Sequence, residues 1–531
     1  MPAHKFEYKR REPERTDLHR LVRTWFPSIP EMLRERFGPR AKLAKFQTAA
    51  VERYVACGQL ASGFLRVRCT GCGDDRLVAF SCKVRGLCPS CDGKRMAEEA
   101  AHLVENVLPT APYRQWVFTF PFWLRYVMAW DISLRDAIHT IVADCTRQFY
   151  LRRATLGGIK LAKCGGISVE HRFDSALKID VHYHLLLADG VFVRTRARAG
   201  QPARVKFLPA APLKPHDVPE VLAHVESRVM KLLKHRGMLR ETADGQPPPD
   251  EFARKNPAMA AILQASLFDR SVLDPDRSVP PLRERGVKPD DVEWRKRNCT
   301  AHNQFTLHAN SRIAPLDRKG LEKMICYLCR PALATDRVEL LENDTIVRLR
   351  LKSAWRDGTT HLRMPAAEFV LRLLALIPAP RKKQFRYLGV FAANASWRQD
   401  VVRRPKQPNR EKEREKTGCC SLGQHKPKPD DQQPGHHVSR LTWASAMQRA
   451  FKIDTLHCDR CGGRREVIAM IPSGEIATKI LAHLKLPVAA EGFLPIRAPP
   501  WADDFEWAEA DSGRTNGAPI ADLDYALDAA A

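Results

Sequence analysis

Helical spacing of apolar residues marks several stretches of this chain. The pattern predicts helices in residues 1–55, 92–109, 131–154 and 318–329, where apolar side chains recur every three to four positions. We expect the second of these helices to start at Asp92 and to stop before a proline. These segments provide the helical part of a mixed architecture.

Strand-like alternation and turn signals fill the intervening segments. Residues 114–122 are rich in aromatic and β-branched side chains, and 168–173 and 177–193 form two apolar runs joined by a short turn. A DG turn signal, Asp189–Gly190, lies within the second run, and residues 347–364 predict a hairpin that turns at an Asp-Gly pair. Helices mixed with hairpins predict an α+β fold.

The length of 531 residues exceeds one typical core and predicts several domains. We divide the chain by composition into an N-terminal helical and cysteine-rich domain, a large α+β domain with a polar insertion, a basic linker, a small CxxC module and an acidic tail. Their bounds are 1–110, 111–400 with the insertion at about 196–300, 401–440, 441–487 and 488–531.

The charge of the chain points to a polyanionic partner. Lysine and arginine number 87 against 61 acidic residues, a net charge of +26, and phosphate contacts by such side chains release counterions. A basic surface kept for solubility is the simpler reading. The N-terminal stretch lacks a secretory signal, and the most apolar run, Phe369–Ile377, is too short to span a bilayer. We therefore expect a cytoplasmic protein with no membrane partner.

Two CxxC pairs near the N-terminus predict a structural zinc site. Cys69, Cys72, Cys88 and Cys91 can place four thiolates around one ion, and glycines stand where the tight turns need them. Cys82 is a fifth candidate that could replace one of the four. Buried reduced cysteines are the alternative, although paired CxxC spacing rarely arises by chance.

Basic residues and further cysteines extend this prediction. Lys94 and Arg95 follow the second pair and suit a module that contacts DNA phosphates. Cys458 and Cys461 form half a zinc site, a further candidate whose remaining ligands the sequence leaves open. The residues that could complete it are Cys419, Cys420, His436, His437 and His457. A third CxxC pair, Cys326 and Cys329, lies on a predicted helix, where we interpret it as packing.

A histidine pair on an apolar strand predicts a second metal site. His182 and His184 alternate along the strand, so both imidazoles point to one face. His171 in the preceding strand would fold back beside them as a third ligand and leave coordination positions open for substrate. A solvated strand face is the alternative, which the apolar flanks disfavour, because buried imidazoles need partners.

A tyrosine on a later helix is a candidate nucleophile. Tyr327 lies beside the apolar stripe of the 318–329 helix, and Arg330 and Arg337 follow it as candidates to hold a phosphate. A phenol can attack phosphorus when a metal polarises the phosphate and arginine balances its charge. Core packing is the default reading of this tyrosine from pattern alone. The aromatic run of Trp116 and Phe118 offers either base stacking or, more simply, sheet core.

Taken together, these motifs resemble the rolling-circle transposases of the "insertion sequence ninety-one" type, within the HUH endonuclease superfamily. The order of the segments is more specific than any one of them, and the resemblance covers most of residues 45–487. The matching segments are residues 68–109, 172–192, 305–338, 353–362, 387–398 and 458–471.

The resemblance implies an N-terminal domain with structural Zn²⁺ and a ferredoxin-like HUH catalytic domain, an antiparallel sheet with helices. It implies that His182 and His184 bind catalytic Mg²⁺ or Mn²⁺ and that Tyr327 forms a 5′-phosphotyrosine link while a 3′-OH is released. Lys323 and Pro331 stand four residues to either side of this tyrosine, so the chain resembles the single-tyrosine branch. Expected partners are single-stranded or hairpin element ends and target DNA, in a nucleoid-associated bacterial protein.

Two alternatives stay open from sequence. A plasmid replication initiator or relaxase would use the same chemistry, although the cysteine modules argue against it. A zinc-dependent DNA-binding protein, or a catalytically inactive copy, would make no covalent adduct with DNA. The sequence leaves the oligomeric state undetermined.

Overall fold

The computed structural model describes residues 12–195, 204–239, 250–273, 281–286, 298–380, 385–402 and 454–495, with the single positions 447 and 449. The fold is α+β with antiparallel sheets, which confirms the expected class. The expected linker at 401–440 and most of the acidic tail lie outside the described residues. No helix within the described residues is long and apolar enough to cross a membrane.

Helices form wherever the sequence pattern predicts them within the described residues, and further ones occur between 217 and 268. The helices are α1 Asp17–Trp25, α2 Ile29–Phe37, α3 Lys45–Val55, α4 Pro89–His102, α5 Phe122–Trp130, α6 Ile132–Leu156, α7 Asp217–His235, α8 Glu251–Lys255, α9 Pro257–Phe268, α10 Arg318–Leu328, α11 Ala366–Leu376, α12 Arg398–Val401 and α13 Glu475–His483.

Most strands are short and arranged in four sheets. The strands are β1 Gly63–Cys69, β2 Asp75–Ala79, β3 Tyr113–Thr119, β4 Ala162–Lys163, β5 Gly165–Phe173, β6 Ile179–Ala188, β7 Gly190–Arg194, β8 Val205–Pro209, β9 Leu282–Arg285, β10 Cys299–His302, β11 Phe305–His308, β12 Arg312–Ile313, β13 Val338–Leu341, β14 Ile346–Arg350, β15 Thr359–Pro365, β16 Phe385–Gly389 and β17 Arg465–Pro472.

The central sheet has the strand order β10-β11-β3-β6-β5-β16, with β12 also paired to β3. Every residue of β3 and β6 is buried, because helices cover both faces. Side chains alternate between the faces. Tyr183 and Leu185 belong to the core on one face, while Leu186 joins α4 and α10 on the other. Trp116 and Phe118 are buried in the first core, so they fill the sheet.

A second, three-stranded sheet has the order β17-β1-β2 and joins an N-terminal hairpin to a strand near the C-terminal side of the described residues. Strand β17 pairs antiparallel with the whole of β1, from Gly63–Pro472 to Cys69–Arg465. The CxxC segment expected as a separate module at 441–487 is therefore part of the N-terminal cysteine-rich domain in space. Composition could not show this, since the pairing joins residues about 400 positions apart in the sequence.

Several local expectations shift on the structure. Helix α4 begins at Pro89, three residues before Asp92, whose carboxylate instead accepts the Gly86 backbone N–H. The predicted 347–364 hairpin forms as β14 and β15. The segment expected as a polar insertion contains α7 and α9, whose apolar side chains enter the main core. Part of that segment, 240–249 and 287–297, lies outside the described residues.

Candidate active site and metal centres

Three histidines meet on the face of the central sheet that α4 and α10 cover. His171 on β5 is paired in register with His182 on β6, and His184 lies two residues further along β6. The ring centroids of His171 and His184 are 4.3 Å apart, and those of His182 and His184 are 4.9 Å apart. Each imidazole offers a nitrogen within 4.8 Å of the others. The structure thus brings together the three residues that the sequence groups.

Each imidazole directs one ring nitrogen at a protein partner. His171 Nε2 donates to the Leu328 carbonyl at 2.7 Å, and His182 Nδ1 lies 2.9 Å from the Asp180 carbonyl. His184 Nδ1 is 2.8 Å from the Gln115 side-chain amide. The other nitrogens of His171 and His184 are buried and have no hydrogen-bond partner. Buried polar atoms without a partner are costly, and a bound cation would satisfy these nitrogens in their unprotonated form.

The protonation of the histidines favours metal binding. Burial lowers the pKa of His171 and His184 well below the usual value, and repulsion by neighbouring imidazoles adds to the effect. Burial also lowers the pKa of His182, against an opposing contribution from Asp180. Neutral imidazoles carry the lone pair that a cation needs. Ion–nitrogen bonds of about 2.1 Å place ligand atoms roughly 3–4 Å apart, and the imidazole nitrogens here lie within 4.8 Å of one another.

Gln115 was not identified from sequence. An imidazole that gives its Nε2 lone pair to an ion carries its proton on Nδ1, so His184 then needs an acceptor there. The Gln115 amide supplies its Oε1 when it rotates by half a turn, and that oxygen is buried and has no hydrogen-bond partner. The available signal was a glutamine within a predicted strand rich in aromatic residues.

Tyr327 lies beside the histidine group. Its ring centroid is 5.8 Å from that of His184, and the Arg330 guanidinium stacks over its ring at 4.3 Å. Helix α10 begins at the Asp317 side chain, which accepts the Gly320 N–H, and buries Leu321, Met324 and other apolar residues. Tyr327 is half-buried at the edge of this stripe. Helix α10 therefore places the Tyr327 phenol beside the histidines, and Arg330, which follows the helix, stacks on its ring.

The cysteine-rich domain directly supports the tyrosine helix. Apolar residues of α4 and α10 pack in one core, and the Arg318 guanidinium donates to the carbonyls of Leu108 at 3.0 Å and of Val104. On the other side, the His171 hydrogen bond reaches the residue that follows Tyr327. Helix α10 is thus fixed between a candidate metal ligand and α4.

Arg337 does not fit the DNA-contacting role expected for it. The side chain is buried, and its guanidinium donates to the carbonyls of Arg350 at 2.6 Å and of Ser175. Spacing from Tyr327 in the sequence does not tell which way a side chain points, and the Arg337 guanidinium points into the protein. Lys352 lies close enough to Arg330 and Arg337 to be repelled by both. Burial of its amine and this repulsion lower the pKa of Lys352 to about 6, although part of the side chain is exposed.

The cysteines form two groups, and both differ from the one expected. The expected set of Cys69, Cys72, Cys88 and Cys91 is divided, because strand β2 and the loop after it separate its two CxxC pairs. The first observed group joins Cys57 and Cys82 to Cys88 and Cys91. Its Sγ atoms are 3.9 Å apart for Cys57–Cys88 and 3.5 Å apart for Cys82–Cys91.

Cys57 was missed because it stands alone in the sequence, after α3, with no CxxC signal. Cys82, the fifth candidate from sequence, lies beside Cys57 in this group. The sulfur of Cys57 accepts the Cys82 backbone N–H at 3.4 Å. The second group joins Cys69 and Cys72 to Cys458 and Cys461.

The remaining predicted residues lie around these groups. Arg95 forms an ion pair with Asp92 and donates to the Lys83 carbonyl, and Lys94 lies 3.5 Å from Glu98. Both basic residues therefore brace the start of α4. Cys326 and Cys329 join no ligand group among the described residues, and Cys329 is buried, in keeping with a packing role.

A three-histidine group on adjacent antiparallel strands, with a tyrosine beside it, is joined to a domain whose cysteine groups could bind metal. The matches with known proteins support the class of DNA-processing enzymes. Two family matches follow the same division: residues 29–120 match a family described as "Transposase zinc-binding domain", and residues 165–399 match one described as "Putative transposase". Together these matches support an IS91-type transposase with an N-terminal zinc-binding domain.

One curated relative is a "Transposase for insertion sequence element IS801" from Pseudomonas savastanoi pv. phaseolicola. It is 27% identical over 150 residues, which cover 28% of this chain and 34% of that protein. The chain thus spans about a third of the length of this relative. No solved structure matches the chain.

Proposed function

We propose that this protein is a DNA transposase that nicks and rejoins single-stranded DNA at the ends of an insertion sequence, with Tyr327 as nucleophile. The carrying observation is the position of Tyr327 between His184, at 5.8 Å between ring centroids, and the Arg330 guanidinium stacked on its ring at 4.3 Å. The family matches support DNA as the substrate, and the net charge of +26 favours a polyanion.

The chemistry assigns a role to each residue. The Tyr327 phenol loses its proton as its oxygen bonds to phosphorus; the bond from phosphorus to O3′ breaks, and O3′ takes up a proton. The products are a 5′-phosphotyrosine and a free 3′-OH, and attack by another 3′-OH reverses the step without an energy source. Arg330 balances phosphate charge, and His171 and His184 help to bind a divalent cation.

That cation, Mg²⁺ or Mn²⁺, would polarise the scissile phosphate. The unpaired nitrogens of the buried imidazoles are the observation that fits it. We further propose that Cys57, Cys82, Cys88 and Cys91 bind the structural zinc of the N-terminal domain. Sulfur separations of 3.5–3.9 Å match the roughly 3.8 Å edge of a tetrahedron with 2.3 Å bonds.

The test is a covalent adduct assay with single-stranded DNA that carries the element end. We expect a denaturation-resistant adduct that requires Mg²⁺ and disappears in Tyr327→Phe, because phenylalanine has no oxygen to bond to phosphorus. His184→Ala should lower the adduct yield by on the order of 10²-fold or more, since the site loses a metal ligand. Yield is measured on denaturing gels.

Tyr126→Phe is the matched control, because it removes a phenol that donates to Asp250 and should leave the yield unchanged. An adduct that persists in Tyr327→Phe would assign the nucleophile elsewhere. DNA binding by the wild type without any adduct would favour a DNA-binding protein or an inactive copy.

A further inference from the structure

The second cysteine group combines two CxxC pairs that are far apart in the sequence. Cys69 Sγ lies 3.4 Å from Cys461 Sγ, although the residues are 392 positions apart, and Cys72 Sγ lies 3.6 Å from Cys458 Sγ. A disulfide would bring sulfurs to about 2.05 Å. The observed spacing is near the roughly 3.8 Å that four thiolates adopt around one zinc ion.

The two CxxC pairs have the same local backbone form. The Gly73 N–H donates to the Cys69 carbonyl at 3.0 Å, and the Gly462 N–H donates to the Cys458 carbonyl at 2.8 Å. Both glycines have positive φ, at 71° and 73°, which favours glycine. A Cβ at Gly463 would lie 3.1 Å from Cys461 Sγ, so this position must stay small. Two matching turns that face each other provide four sulfurs to one point.

A buried arginine lies beside the group. The Arg465 side chain is buried and places its guanidinium 3.6 Å from Cys458 Sγ. A buried cation beside sulfur stabilises the anionic form, which is the form that binds metal.

The segment that carries Cys458 and Cys461 also packs on the N-terminal domain. Strand β17 pairs with β1, and a small core under the pairing includes Phe64, Ile471 and Leu481. Beyond it, Glu491 forms an ion pair with Arg23 of α1. Because this core is small, a metal ion bound at the Cys69 end of the β17–β1 pairing would add stability where the pairing ends.

We propose that Cys69, Cys72, Cys458 and Cys461 form a second structural zinc centre, which fastens the C-terminal segment 454–495 to the N-terminal domain. The matched zinc-binding region ends at residue 120 and contains only half of these ligands. A closed set of four thiolates, with no open position for substrate, is typical of structural rather than catalytic zinc. The zinc thus links two segments that lie on either side, in sequence, of the domain that contains Tyr327.

The test measures zinc per chain in full-length protein by elemental analysis, after exposure to a chromogenic chelator. The variants are Cys72→Ser, Cys461→Ser and the double variant; both cysteines are exposed, so neither change leaves a cavity. We expect each single variant to release one more zinc than the wild type, and the double variant to release the same one. The histidine site is unchanged throughout, so only differences count.

Cys299→Ser, which removes an exposed cysteine outside all three ligand groups, should release no extra zinc. Cys461→His should retain the zinc that Cys461→Ser loses, because a zinc site of three cysteines and one histidine is stable. Retention of all zinc in both single variants, or loss of two in the double variant, would overturn the proposal. These readouts need no DNA substrate, so they are independent of the proposed nicking activity.

Discussion

The histidine group and the cysteine groups use opposite ways to bring ligands together. His171, His182 and His184 lie on two neighbouring strands joined by a short turn, and their alternation alone sets which face they share. The ligands of the second cysteine group come from the end of β1, the turn after it and the segment before β17, and one pair is 392 positions apart. Local periodicity therefore decides the first site, and chain topology decides the second.

The two regions are nevertheless connected. Helix α4 starts at the cysteines of the first group and packs against α10, which carries Tyr327. The Arg318 hydrogen bonds to the end of that region reinforce the contact. Metal binding at the first cysteine group can thus affect the position of Tyr327.

The largest expected effect tests this connection. Cys88→Ser removes a buried ligand at the start of α4, so we expect loss of one zinc and a shift of α10. A displacement of about 1 Å at a reacting group can cost on the order of 10²-fold in rate, and we expect a fall of that size in adduct formation. The measurement is the initial rate of adduct formation beside zinc content.

Cys164→Ser is the control, since it alters a buried cysteine outside the ligand groups. Equal adduct rates in Cys88→Ser and wild type, with one zinc lost, would show that the two regions are independent.

A smaller effect concerns the support of His184. Gln115→Ala removes the side chain that orients this imidazole, and loss of such a partner weakens metal binding by about 10–100-fold. We expect the Mn²⁺ concentration for half-maximal adduct formation to rise by that factor while the maximal yield changes little. The control, Gln264→Ala on α9, should leave this Mn²⁺ concentration unchanged. An unchanged Mn²⁺ concentration in Gln115→Ala would exclude a positioning role for Gln115.

The smallest effect is on stability. Because burial lowers the pKa of His171, His182 and His184 below 6.5, the unfolded chain binds more protons than the folded one as pH falls below that value. The free energy of unfolding should therefore decrease from pH 7 towards the folded pKa values. The decrease is at most about 1.4 kcal/mol per pH unit for each histidine.

The measurement is the number of protons that Mg²⁺-free protein takes up on unfolding in urea near pH 5.5. His171→Asn should take up about one proton fewer, whereas His302→Asn changes an exposed histidine and serves as the reference. An uptake that is unchanged in His171→Asn would mean that this imidazole is already protonated in the folded protein.

The sequence determined what depends on short-range pattern. The alternation at His182 and His184, the helix that holds Tyr327, and the 347–364 hairpin follow from periodicity and turn residues. The CxxC pairs were recognised as ligands for the same reason, since the turn that forms each pair is encoded within a few residues.

Tertiary structure alone decided how those pieces combine. The sequence could not pair Cys69 with Cys461, because no spacing rule spans 392 positions, nor identify Cys57, which has no neighbouring cysteine. It also could not show that Arg337 points inward or that Gln115 contacts His184 from the neighbouring strand. Side-chain direction and long-range pairing arise from packing of whole elements, whose free energy is a property of the assembled core.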